Sequence, residues 1–223
     1  MENIFIIDPL SFAQNKRIRH GKIAGDKLDR LRELIDSDEG FAYVIEGRVS
    51  PTHAEHVEED LGQRVAMILD GGATAHGLES TIVDGRGDAA ILLRSGAVAR
   101  EAIEAVVGAP LARCPESDDV HPTAPGQLTS HYAPNALMRL NARDVRPGEA
   151  LLAFGSDVPD TANPVLNLSV SGDLVEAAAA LFAALRALDR MGTGAIAVMP
   201  IPERGLGEAI NDRLRRAAAP RPA

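Results

Sequence analysis

Between Ser50 and Gly96 the chain carries SPT, ILDGG, GLESTIVD and LLRSG in one strongly punctuated run. Ser80 and Thr81 supply adjacent hydroxyls, and Arg94 supplies a guanidinium just ahead of a Ser95-Gly96 turn. An arginine presents a rigid fork of donors to phosphate or carboxylate, so this set suits an anionic or nucleotide ligand. Taken singly, the same residues also fit a turn glycine and a surface arginine in an ion pair. Glu79 and Asp70 are the nearby acids, and both read as turn or helix-start carboxylates that accept from backbone amides, not as metal ligands.

The elements that must position these groups follow from punctuation. Ser50 with Pro51 reads as a helix start, the serine capping and the proline at the first helical position, with Gly62 ending the helix after Leu61. Val65 to Leu69 reads as a buried strand left through Asp70, Gly71 and Gly72. Ser80 to Asp84 and Ala90 to Arg94 read as two strands, and Gly85, Arg86, Gly87 and Asp88 between them suit a hairpin. That places Ser80, Thr81 and Arg94 at neighbouring strand ends.

The motifs in order, SPT, His56-Val57, ILDGG, GLESTIVD, an LR-x-G turn and far downstream APGQLTSHYAP, resemble the L-threonylcarbamoyladenylate synthase family in its two-domain form. The resemblance covers the chain from about Gly47 to the end. It implies an activity that converts L-threonine, bicarbonate and ATP to threonylcarbamoyl-AMP and pyrophosphate, for tRNA threonylcarbamoyladenosine modification. It also implies magnesium with the ATP, and other tRNA-modification proteins as partners. Carried over by position, Ser80 and Thr81 match the family's E-S-T segment at the substrate pocket, and Arg94 matches the arginine that contacts the nucleotide. His131 and Tyr132 match the H-Y-A-P of the interdomain segment, which in relatives folds over the site near the phosphates. No catalytic residue and no metal ligand is assigned.

Relatives carry S-A-N-x-S-G just before SPT, whereas this chain has Ala42, Tyr43, Val44, Ile45, Glu46 and Gly47, which removes polar donors and adds a negative charge. The family's K-x-R motif has no counterpart in residues 1–44. Lys16, Arg17 and Arg19 read as a solvated charge run. The expectation is therefore an N-terminally truncated member, from deletion, frameshift or gene-calling error. Its activity is impaired, or it is an inactive remnant that binds at most a nucleotide or a partner.

The fold class expected is α/β: an incomplete YrdC-like α/β domain joined by a Pro-rich linker to a small Rossmann-like α/β domain. Residues 1–44 form a segment outside the family, with a strand at Ile4 to Ile7 and a helix around Asp26 to Ile35. Residues 45–108 form the rest of the YrdC-like domain, 109–136 the linker and 137–223 the C-terminal domain. Helix 99–107 would turn Ile103, Val106 and Val107 to its apolar side. After the linker, strands at Leu137 to Leu140, Ala150 to Phe154, Val165 to Leu168 and Ala195 to Met199 alternate with helices at Leu174 to Met191 and Leu206 to Ala218, which implies a largely parallel sheet. The turns at Gly155-Ser156 and at Gly205 to Gly207 lack a dinucleotide fingerprint and read as structural. Arg213, Arg215 and Arg216 most simply complement the C-terminal end of their helix dipole.

Composition bounds the rest. A formal net charge of -9 over 223 residues excludes a general nucleic-acid binder, because phosphate backbones require a basic face. No tryptophan and 3% aromatic residues disfavour base-stacking surfaces. The single cysteine, Cys114, forms no internal disulfide, and its proline-rich setting does not suit zinc. No apolar stretch is long enough to span a bilayer, which fits a cytoplasmic protein without a membrane partner.

Overall fold

The computed structural model describes residues 4–6, 49–62, 67–70, 72–87, 89–114, 124 and 130–220. The expected helix around residues 26–35, the basic cluster at 16–19, the altered loop at 42–46 and much of the proline-rich segment lie outside them. The chain divides into two compact units, Met1–Ile45 with Pro51–Ala75, and Glu46–Ser50 with His76–Ala223.

In the first unit, strand β1 (Ile4–Ile6) pairs in parallel with β2 (Met67–Leu69), and helix α1 spans Ala54–Leu61. Gly62 ends α1 as expected, its N–H returning to the Glu58 carbonyl at φ 50°. The start differs: His53, not Ser50, is the N-cap, and it makes no side-chain cap. The buried His56 ring bonds back to the segment before the helix, its Nδ1 accepting from the Thr52 N–H at 3.1 Å. Ser50 is drawn away because its hydroxyl donates to the Glu79 carboxylate at 2.8 Å, a charged acceptor that makes a stronger hydrogen bond than a neutral partner would.

The second unit opens with β3 (Ile82–Asp84) antiparallel to β4 (Ile91–Arg94), with a register shift between Ile82 and Val83. Helix α2 (Arg100–Val107) follows and closes on Gly108, left-handed at φ 75°. A two-residue strand β5 (Ala112–Arg113) then pairs in parallel with β4, inside the stretch expected to be linker. The apolar side expected of α2 is not packed: the helix buries no residue, and Val106 is 88% exposed.

Beyond residue 136, the α/β class is as the sequence predicts. Strands β6 (Leu137–Arg139), β7 (Glu149–Ala153), β8 (Val165–Asn167) and β9 (Ala195–Val198) form an all-parallel sheet in the order β6-β9-β7-β8. Helices α3 (Leu174–Arg190) and α4 (Leu206–Ala218) complete it. Asp173 caps α3, its carboxylate accepting from the N–H groups of Val175 and Glu176 at 2.7 and 2.9 Å. Ala150, Leu152, Ile196 and Val198 face both helices and pack with Leu181, Leu185, Ile210 and Leu214. Leu151, Ala153 and Ala197 project from the opposite face, covered by Ala142, Val145, Val158 and Met199. Burial on both faces is why β7 reads as an apolar run from Ala150 to Ala153.

Glu149, buried at the start of β7, takes Arg139 in a two-pronged pair at 2.8 and 2.5 Å. The hydrogen bond from Arg139, reinforced by the Arg146 N–H and both positive charges, outweighs burial and holds its carboxyl at about 2. Leu181 has no exposed surface, so Leu181→Ala is expected to cost about 2–5 kcal/mol in urea unfolding.

Candidate functional site

The site is built on the short segment that leads into β3. Gly77 seats it: at φ 64° its Cα lies so close to α3 that a β-carbon would fall 2.3 Å from the Ala178 carbonyl oxygen. Leu78 is buried there. Opposite, the Ala97 N–H donates to the Glu79 carbonyl at 2.9 Å, and Gly96 lies directly against the Glu79–Thr81 backbone.

The three side chains of the segment go separate ways. Thr81 Oγ1 donates to the Val98 carbonyl at 2.6 Å and accepts from the Val98 N–H at 3.0 Å, so this hydroxyl ties the segment to the loop after β4. Ser80 meets Arg94: Nε and Nη2 donate to the Ser80 carbonyl at 3.1 and 2.9 Å, and Nη2 reaches Ser80 Oγ at 3.2 Å. Glu79 turns to Arg213 of α4, whose Nε donates to Oε2 at 2.9 Å.

Arg213 is the centre of the cluster. Its side chain is fully buried, Nη2 donates to the Ser95 carbonyl at 3.0 Å, and Nη1 donates to Asp212 at 2.7 Å. Its guanidinium carbon lies 5.1 Å from the centre of the Tyr132 ring, a cation–π contact. Tyr132 stacks on Phe182 at 5.5 Å and 24° and adopts a left-handed backbone, φ 62°. The neighbouring His131 ring meets it edge-on at 3.9 Å, and the His131 N–H donates to the Arg216 carbonyl at 3.3 Å. Arg100 ties α2 to the same helix α4 through a two-pronged pair with Glu208 at 2.9 and 2.6 Å.

Ionisation follows from this packing. Burial pushes the Glu79 carboxyl up, but the Arg213 charge and the hydrogen bonds from Ser50, its own backbone and Arg213 together hold it below the usual range. Burial and the Arg213 charge lower the Arg94 guanidinium, against which Glu79 and a hydrogen bond with Tyr132 act. It remains cationic at neutral pH. Burial raises the Tyr132 phenol, with Arg213 opposing and Glu79 reinforcing.

Of the residues singled out in the sequence, Ser80, Arg94, Tyr132 and His131 come together in this cluster, and Thr81 lies on its edge, bonded to Val98. Two members have a partner that the sequence does not suggest. Glu79 accepts from its own backbone as a turn carboxylate does, but it also pairs with Arg213, which does not serve the end of its helix. Ile210, Arg213, Leu214 and Ala217 are all buried on α4 and share one face at helical spacing, which is the signal that would have located Arg213. Arg215 and Arg216 pair with Glu203 and Asp212.

The site offers no evident metal ligand. Among the described residues no group of three or more His, Cys, Asp or Glu could hold a metal ion. Both Glu79 oxygens are engaged, by Ser50 and Arg213. In the first unit, the Asp70 carboxylate accepts from the Gly72 N–H at 2.9 Å, as a turn carboxylate does.

Comparison with known proteins bears on this arrangement directly. The family model for the threonylcarbamoyl-AMP synthase C-terminal domain matches residues 98–219. A second model, described as "Telomere recombination", matches residues 43–96. The threonylcarbamoyl-AMP synthase of Pyrococcus abyssi is 36% identical over 200 residues, covering 78% of this chain and 55% of its own length. That of Bacillus subtilis is 34% identical over 192 residues, covering 79% and 56%. The crystal structure of P. abyssi Sua5 complexed with L-threonine superposes with a TM-score of 0.67 at 36% identity, over 78% of this chain and 55% of that one. The match to residues 98–219 spans more than half of the chain, which therefore belongs to the threonylcarbamoyl-AMP synthase C-terminal-domain family. The chain spans about half the length of the curated relatives it matches.

Proposed function

We propose that this chain serves threonylcarbamoyl-AMP synthesis, the reaction of L-threonine, bicarbonate and ATP that yields pyrophosphate and feeds tRNA modification. The observation that carries the reading is the Arg94 fork, fixed on Ser80 and set beside Tyr132, in a chain whose relatives are named for this synthesis. A fixed guanidinium offsets phosphate charge without reorganising when the ligand arrives. Ser80, beside the carbonyl that Arg94 grips, orients the amino acid or its carbamate, and Thr81 holds that segment to Val98. His131 and Tyr132 close over the phosphates and exclude water that would hydrolyse a mixed anhydride. A solved variant of P. abyssi Sua5 replaces an adjacent histidine and tyrosine by alanine, the same residue types in the same order.

L-threonine is named as the ligand of the P. abyssi structure and enters here as the substrate proposed for this chain. Magnesium would arrive with ATP as part of the substrate, since both Glu79 oxygens are engaged by Ser50 and Arg213. Cytoplasmic location and contact with other tRNA-modification proteins belong to the same reading; no helix among the described residues is long and apolar enough to cross a membrane.

The test is release of pyrophosphate from ATP only when threonine and bicarbonate are both present. Arg94→Ala is expected to weaken ATP binding by about 10- to 100-fold, the worth of charge-assisted hydrogen bonds, as measured by calorimetry. The competing outcome is a nucleotide- or partner-binding module without catalysis. Under it ATP still binds through Arg94 and no pyrophosphate appears.

A further inference from the structure

We propose that Arg213, contributed by the last helix, is a positioning residue that sets the Arg94, Ser80 and Tyr132 wall, rather than a residue that stabilises the C-terminal domain. For the ligand it serves, this rests on the reading above. A fully buried guanidinium carries a large desolvation cost, and an apolar side chain of similar volume often serves stability as well or better. Its neighbours on α4, Ile210 and Leu214, fill the core in that apolar way.

What Arg213 touches is informative. Its fork bonds the Glu79 carboxylate, beside Ser80, and the Ser95 carbonyl, beside Arg94. Its guanidinium carbon lies over the Tyr132 ring. The segments that hold the anion-facing residues thus converge on one side chain. Tyr132 gives a second reason: a bulky residue at φ 62° is strained and keeps that conformation only when its surroundings over-determine it. Phe182 stacks on the ring, His131 meets its edge, and Arg213 adds a cation–π contact. Arg213 is not the ligand-binding arginine, because its side chain has no solvent exposure; it acts through Tyr132 and the two segments.

Two variants of the full chain test this. Arg213→Lys keeps the charge and loses the fork. The double variant Glu79→Gln with Arg213→Met removes both charges, so no buried carboxylate is left alone. The readouts are the Arg94 Nε–H and Tyr132 ring resonances, the methyl resonances of Leu181 and Ile196 in the parallel-sheet core, and ATP affinity. The expected result is displaced Arg94 and Tyr132 resonances and at least tenfold weaker ATP binding, with the core methyl resonances unmoved. Arg94 and Tyr132 resonances that superpose on the wild type, or unchanged ATP affinity, would overturn the proposal while leaving Arg94 as the nucleotide residue. Collapse of the core methyl pattern in both variants would make Arg213 a structural residue and overturn it too. If the wild-type chain binds no ATP, the functional reading falls, and the resonances alone decide the positioning role.

Discussion

Gly96→Ala is expected to destabilise the second unit and to weaken ATP binding together, although it adds a single methyl group. A β-carbon at residue 96 would lie 2.3 Å from the Glu79 carbonyl oxygen and 2.5 Å from Ser80 C and Thr81 N. All three neighbours are backbone, so no side chain can swing aside. Extra carbon in a packed site costs typically about 1–3 kcal/mol, and here relief requires parting the 79–81 segment from the loop after β4. That movement stretches the Ala97 to Glu79 and Val98 to Thr81 hydrogen bonds and carries Ser80 away from Arg94. Gly96 does not have a positive φ, so the effect is steric and not conformational. Gly87→Ala is the control. Its β-carbon would meet nothing closer than 3.9 Å, and its φ is also not positive, so a change within about 0.5 kcal/mol is expected. Urea unfolding and calorimetry on both variants separate the outcomes; a Gly96→Ala protein indistinguishable from the Gly87→Ala control would deny the close approach.

Which parts of this arrangement were legible in the sequence depends on how local their causes are. The parallel sheet was legible because burial on both faces of β7 and β9 writes itself as continuous apolar runs, and α3 because Leu181, Leu185 and Leu188 recur at helical spacing beside a capping Asp173. The hairpin of β3 and β4 announced itself in the glycine-rich turn between them. The start of α1 was misplaced because Ser50 has a better acceptor 29 residues away than the helix end it precedes. Strand β5 is two residues long and takes its partner from β4, which no window of sequence around Ala112 contains. Helix α2 shows the converse: its pattern is amphipathic, yet Val106 remains exposed, because a pattern states what a face could bury and not what covers it. Within the site, Ser80 and Arg94 are neighbours through a hairpin and could be paired by counting. Glu79 and Arg213 are 134 positions apart. Only the phase of Arg213 among apolar residues of α4 hinted that it points inward.

Breaking that pair from one side should produce a large loss of stability in the second unit. Glu79→Ala removes the principal carboxylate facing a guanidinium with no solvent exposure, and Asp212, the immediate chain neighbour, is left to carry the charge alone. Breaking a buried pair from one side typically costs about 3–5 kcal/mol, because the remaining ion is uncompensated. Glu79→Gln keeps an acceptor for Arg213 and a partner for Ser50, so its loss should be smaller. The pH dependence has a definite sign. The folded Glu79 carboxyl lies below its ordinary value of 4.5, so its contribution is whole above that value and drains as pH falls through the folded one. The stability difference between wild type and Glu79→Gln should therefore be constant from neutral pH down to about pH 5 and shrink below it. Glu149, held at about 2 by Arg139, titrates in both proteins and cancels in the comparison. Urea midpoints from pH 7 to pH 3 read this out. A difference that grew on acidification would mean that Arg213 fails to offset the burial of Glu79, and Arg213 could not then anchor the Ser80 segment.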